Sequence, residues 1–219
     1  MAFIAGTGVT LLALGTSTRW IQGRDDDIAR AVAPYRPALH LVASIMTQPG
    51  EWYVHSVVAA AMAGVILRAR RGSPARILCP LAAASLGATA AHHAIKLVHR
   101  RKRPRVALLR RKTESAYPSG HTTNATAVLA TSGYLLAREG LVAGPLSAAV
   151  VGALSLGTGL SRVALGWHWG SDVLGGWLAG IGVAAMSANL YEALVERSRP
   201  VRHLDRACSQ TPSEPILQE

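Results

Sequence analysis

The sequence predicts an all-α, polytopic membrane helix bundle of five or six transmembrane helices, and three observations predict it. Half of the 219 residues are hydrophobic and only 16% are charged, against about 25% in a soluble domain. Mean hydropathy is positive, at +0.24. The charges are clustered, so long stretches carry almost none, and those stretches lack the apolar–polar alternation of a barrel strand. Several approach the ~20 residues that a helix needs to cross a bilayer. The length allows one membrane domain over residues 1–219.

Met1–Gly15 is the first apolar run. No basic residue precedes it, as a secretory signal requires, so it reads as a retained first helix or a membrane-surface helix. Asp25–Asp27 and the following IARAVAPYRPALHLV read as an interfacial connector, in which Pro34 and Pro37 break any long helix. Five apolar runs bounded by charge or by Pro and Gly follow: Trp52–Leu67, Ile77–Val98, Thr122–Ala137, Leu141–Leu160 and Val173–Leu194. The first and third of these, like the N-terminal run, are short against a limit of ~17 residues. Gly176 and Gly180 form a GxxxG, which lets helices approach closely in lipid, a weak signal in a chain this rich in Ala and Gly. From Arg197 onward, three prolines among Ser, Gln and Glu read as a mobile polar tail.

Cys79 lies in a run and Cys208 in the tail, so no disulfide is expected. The chain has no internal repeat, no nucleotide-binding glycine loop and no zinc-type cluster. No cofactor, metal or nucleic-acid partner is expected.

The net charge of +11 is nearly balanced across the two faces that these spans define. One face receives Arg68, Arg70, Arg71, Arg76, Arg138 and the tail arginines 197, 199, 202 and 206. The other receives KLVHRRKRPRVALLRRK, Lys96 to Lys112, with nine Lys or Arg, plus Arg162. The positive-inside rule predicts asymmetry, so cations are wanted on the second face for another reason. Anionic headgroups are the bland explanation; phosphate binding, through paired charge-assisted hydrogen bonds, is the specific one.

Three polar islands interrupt the apolar runs: Lys96-LVHRRK-Arg103-Pro104, Pro118-Ser119-Gly120-His121 and Ser161-RVALGWHWGS-Asp172. One loop separates the first two islands, and two crossings separate the second from the third. All three therefore lie on one face of the bilayer.

In order and spacing, Lys-x6-Arg-Pro, Pro-Ser-Gly-His and Ser-Arg-x5-His-x3-Asp resemble the tripartite signature of the type 2 phosphatidic acid phosphatase superfamily. Every signature position between Lys96 and Asp172 is occupied. The resemblance implies that His168 is a nucleophile forming a phosphohistidine, with Asp172 accepting from its other ring nitrogen. It implies that His121 protonates the leaving oxygen and then activates water. Lys96, Arg103 and Arg162 would cradle the phosphate, with Ser119 and the Gly120 N–H donating to it and Ser161 supporting Arg162. Arg100, Arg101, Lys102, Arg105, Arg110, Arg111 and Lys112 are expected to meet lipid headgroups or solvent.

Structural readings of the same residues stand beside these. Asp172 suits a helix cap, and His168 between Trp167 and Trp169 suits an aromatic belt. Pro-Ser-Gly is an ordinary turn into a helix. His92 and His93 read as satisfied intramembrane groups, while His40, His55, His99 and His203 carry no motif. Trp167, Trp169 and Trp177 read as interfacial anchors.

The resemblance implies a metal-independent phosphatase of a lipid phosphate or polyprenyl pyrophosphate. It would sit among the lipids of a bacterial inner membrane with its site on the extracytoplasmic face. Nothing in the Ala/Gly-rich helices reads which lipid. A vanadate-dependent haloperoxidase shares the same anion pocket, and a non-catalytic lipid-phosphate binding or transport protein is the third class; the complete signature and the membrane spans favour the phosphatase.

Overall fold

The computed structural model describes residues 2–69, 73–109 and 114–198. Arg70, Arg71, Arg110, Arg111, Lys112, His203, Cys208 and the tail beyond Ser198 lie outside the described residues. The described chain is helical, with no strand: α1 (Ala2–Gly15), α2 (Arg19–Val32), α3 (Arg36–Met46), α4 (Trp52–Ala69), α5 (Ala75–Val98), α6 (Arg105–Leu109), α7 (Gly120–Arg138), α8 (Gly144–Ala164) and α9 (Gly170–Arg197).

The five expected runs are α4, α5, α7, α8 and α9, displaced by a few residues at their ends. Three of them, α4, α8 and α9, are long and apolar enough to cross a membrane. α5 and α7 are as long but more polar. The reason is visible in α7, which packs against α4, α5, α8 and α9 and buries Thr122, Thr123, Asn124, Thr126, Thr131 and Ser132. A helix enclosed by others needs no lipid-facing apolar surface. α1 has 14 residues, or ~21 Å of helix, short of a ~30 Å hydrocarbon core.

The expected connector is more ordered than its prolines suggest. Pro34 lies in a short 3-10 turn, Ala33–Tyr35, and Pro37 in the first turn of α3, where a missing N–H costs nothing. The break therefore separates two helices. Asp25, assigned to an interfacial connector, is instead buried.

The GxxxG of α9 is a real seam. A Cβ at Gly176 would lie 2.8 Å from Thr122 Cβ and 2.9 Å from the Ser119 carbonyl; one at Gly180 would lie 2.6 Å from Thr126 Cβ and 2.8 Å from the Thr123 carbonyl. Backbone approach of this kind needs glycine, and it carries the N-terminus of α9 against that of α7.

The other end of the bundle is a closed cluster. Ile66, Ile77, Leu81, Leu135 and Tyr191 form an apolar core there. Above it, Arg76 Nη2 pairs with Glu139 Oε2 at 3.2 Å, and Tyr191 OH donates to Glu139 Oε1 at 2.7 Å. Arg138 grips Glu192 through two bonds of 2.7 and 2.8 Å, and Tyr134 OH donates to the same carboxylate.

Candidate active site

All three polar islands meet at one end of the bundle. Lys96 occupies the last turn of α5, and an extended strap from His99 leads to Arg103 and the buried Pro104. Ser119, in extended conformation, caps α7. Its N–H donates to the Asp172 carbonyl at 3.0 Å, and its carbonyl accepts from Thr123 Oγ1 and N, each at 2.9 Å. A main-chain bond thus joins the second island to the third. Gly120 is required by packing, because a Cβ there would lie 2.9 Å from the buried His92 ring. His92 holds the Thr89 carbonyl at 3.2 Å, in keeping with a satisfied intramembrane role.

The Arg-x5-His spacing of the third island has a backbone cause. α8 ends in a Schellman motif: Gly166, at φ 69°, takes the left-handed position. The Trp167 N–H returns to the Arg162 carbonyl at 3.0 Å and the Gly166 N–H to the Val163 carbonyl at 2.9 Å. The His168 N–H also reaches the Arg162 carbonyl, at 3.3 Å. Arginine and histidine are therefore fixed to one turn.

Among the described residues, no carboxylate lies within ion-pair distance of the buried Arg162 guanidinium. Its Cζ lies 4.2 Å from the Trp167 ring centroid, Nη1 donates to Thr47 Oγ1 at 2.7 Å, and Nε has no hydrogen-bond partner among the described residues. Trp167 thus serves the site, whereas an interfacial anchor was expected. Ser161 does not support Arg162; its hydroxyl donates to the Thr158 carbonyl at 2.7 Å, a bond within its own helix.

Arg103 is held by neutral acceptors, the Glu114 carbonyl at 2.9 Å and the Trp167 carbonyl at 3.1 Å. Its Nη1 lies 3.2 Å from His168 Nε2. Since a guanidinium only donates, that ring nitrogen presents its lone pair to the cradle. Lys96 Nζ and Arg103 Nη2 share the Glu114 carboxylate loosely, at 3.7 and 3.9 Å, and that side chain is largely exposed. His121 lies within electrostatic reach of Arg162 and His168.

Burial drives the His168 pKa down from 6.5 to about 4; Arg103 and Arg162 reinforce the shift, and Asp172 opposes it. The ring is thus neutral through the physiological range. Burial likewise lowers the Arg103 pKa, against the nearby Glu114 and Asp172.

Two expectations about Asp172 and its neighbours change. Asp172, expected to accept from the second ring nitrogen of His168, holds its Oδ2 3.5 Å from His168 Nδ1, beyond good hydrogen-bond length, because His168 precedes the N-cap of α9. The carboxylate is committed elsewhere: Oδ2 accepts from the Trp169 N–H at 2.9 Å and Oδ1 from Arg101 Nη1 at 2.6 Å. Capping and proximity to His168 coexist in one side chain.

Arg101 is the second correction. Expected to meet headgroups, it is nearly buried and bridges Asp172 to Asp25 Oδ2, the latter at 2.6 Å, with Ser171 Oγ also at 2.6 Å. Asp25 Oδ1 in turn accepts the Ser171 N–H at 2.9 Å. Arg100, Lys102 and Arg105 are exposed, as expected. Sequence reasoning also missed Thr47 and Glu51, the second of which holds His121 Nε2 at 3.0 Å. One signal was present: Glu51 is the only acidic residue between Asp27 and Glu114.

A family model described as the PAP2 superfamily matches residues 77–196. Among solved structures, the fold is similar to that of a transmembrane PAP2-type phosphatidylglycerolphosphate phosphatase from Bacillus subtilis, with a TM-score of 0.79 and 23% identity over 92% of this chain and 98% of that one. No curated protein matches the chain.

Proposed function

The chain belongs to the PAP2 superfamily, and from that premise we propose that it is an integral-membrane phosphatase that hydrolyses a lipid phosphate through a phosphohistidine on His168. The observation that carries this reading is the 3.2 Å approach of Arg103 Nη1 to the Nε2 of a neutral, buried imidazole. It sets a nucleophile's lone pair beside a cation that would hold the phosphate it attacks.

Phosphate would enter among Lys96, Arg103 and Arg162, with the Ser119 hydroxyl and the Gly120 N–H donating at the start of α7. Its negative charge supplies what the buried guanidinium of Arg162 lacks. His168 Nε2 attacks phosphorus, the P–N bond forms and the P–O bond to the lipid breaks. His121 gives its proton to the departing oxygen. It then takes one from water, whose oxygen displaces His168 and releases inorganic phosphate. Asp172 steadies the transient charge on the His168 ring from 3.5 Å. Phosphatidylglycerophosphate, phosphatidate and polyprenyl pyrophosphate all carry the terminal group this requires. The extracytoplasmic face of a bacterial inner membrane is proposed on family resemblance.

The test is phosphate release from these lipids by purified protein in detergent with EDTA present. Release should persist in EDTA, fall with vanadate, a transition-state mimic, and drop by more than about 10³-fold in His168→Ala, with the melting temperature retained. Acid-labile label on the wild-type protein, absent from the variant, identifies the intermediate. Release surviving His168→Ala removes the nucleophile assignment.

A further inference from the structure

Outside the three islands, one turn touches two of them. Residues 47–51, Thr-Gln-Pro-Gly-Glu, link α3 to α4 through a short 3-10 turn, Gln48–Gly50. Thr47 accepts from Arg162 of the third island at 2.7 Å. Gly50 lies so close to His121 of the second that a Cβ there would stand 2.5 Å from the histidine Cβ and 2.8 Å from its Cα and carbonyl. Glu51 Oε1 lies 3.0 Å from His121 Nε2, with both side chains partly exposed. No other described residue hydrogen-bonds the His121 ring, so the carboxylate takes Nε2 and leaves Nδ1 for substrate. Which ring nitrogen carries out proton transfer is set by the bond the other one makes.

We propose that Glu51 is a fourth element of the site, a positioning carboxylate that holds His121 for protonating a leaving alkoxide and so makes the site selective for monophosphate esters of alcohols over substrates whose leaving group is itself a phosphate. The proposal rests on the phosphatase reading, in which His121 faces the leaving oxygen. With Glu51 on Nε2, the imidazolium gives its Nδ1 proton to the alkoxide as the P–O bond breaks and the bond to His168 forms. It recovers that proton from the attacking water. An alkoxide is a poor leaving group and needs the proton; an aryloxide or a phosphate departs without it. The same carboxylate stands on the leaving-group side and repels a second phosphate there. Glu51 also lies near enough to Arg162 to act on it electrostatically, so its charge is felt inside the cradle.

The experiment compares kcat/KM for dioleoyl phosphatidate, p-nitrophenyl phosphate and farnesyl diphosphate in detergent, for wild type, Glu51→Gln and Glu51→Asp. The wild type should favour phosphatidate over the diphosphate. Glu51→Gln should lower phosphatidate turnover by about 10–10²-fold, leave KM for it near the wild-type value, spare the aryl phosphate and spare or improve the diphosphate. Glu51→Asp should restore part of the phosphatidate loss. A purely structural role would lower all three substrates together, and that result, or no change at all, overturns the proposal; so does a wild type that prefers the diphosphate. Should Glu51→Gln fail to fold, the wild-type preference and the same ordering in Glu51→Asp decide. If the wild type releases phosphate from none of the three, the phosphatase reading itself fails and the proposal falls with it.

Discussion

The two ends of the bundle use the same residue types in opposite ways. At the far end, Arg76 and Arg138 sit on Glu139 and Glu192, and tyrosine hydroxyls complete the carboxylates. At the site end, Arg103 rests mainly on carbonyl oxygens, Arg162 on a hydroxyl and an indole face, and Lys96 on a distant, exposed Glu114. A buried cation lacking an anion lowers stability. The far end therefore fastens α5, α7 and α9, whereas the cations of the site end rest on neutral or distant partners. Arg101 shows that the distinction follows partners rather than position. It lies at the site end, yet two carboxylates hold it at 2.6 Å, so it behaves as part of the frame.

The contrast is most directly broken at Arg162. Arg162→Met should reduce phosphate release by about 10²–10³-fold, the usual cost of losing one preorganised donor, while thermal unfolding in detergent shows stability unchanged or raised. A fall in stability matching the fall in activity would make Arg162 a fastening residue like those opposite. Glu139→Ala should do the reverse. It strands Arg76 and the Tyr191 hydroxyl, costing about 1–3 kcal/mol of stability, with turnover unaltered; altered turnover would mean that the ends are coupled.

The smallest effect sharpens the picture of His168. Because its pKa in the fold is about 4 against 6.5 when free, the unfolded chain binds more protons between those values. Stability from this group is full above pH 6.5 and is lost as pH falls toward 4. Ring ¹⁵N signals of His168 should hold their neutral positions at pH 5. A titration midpoint near 6.5 would mean a site more hydrated than its burial implies.

Five of the helices, α4, α5, α7, α8 and α9, were legible because each coincides with a largely apolar run, whereas α2 and α3, charged and proline-bounded, read as a connector. The spacing of the third island is set by local backbone, as the turn at Gly166 demonstrates. Which of the nine basic residues between 96 and 112 turns inward was not legible. Arg101 owes its place to Asp25 and Asp172, 76 and 71 positions away, and no local pattern distinguishes it from Arg100 or Lys102. Glu51 and Thr47 escaped for the same reason: their partners lie on α7 and α8, and only packing brings a turn between α3 and α4 onto both. Asp172 was legible as a residue but not in geometry, since its oxygens are shared with the Trp169 amide and Arg101.

The bond from the Ser119 N–H to the Asp172 carbonyl, with the glycine seam below it, also bears on how the molecule can move. Both ends of that bond are main chain, so drift in side-chain identity leaves it intact. It ties the starts of α7 and α9 into one joint, with His121 on one side and His168 on the other. A shift at the start of one helix is therefore passed through the main chain to the start of the other. The separation of the two histidines is thereby tied to the backbone rather than to side-chain contacts.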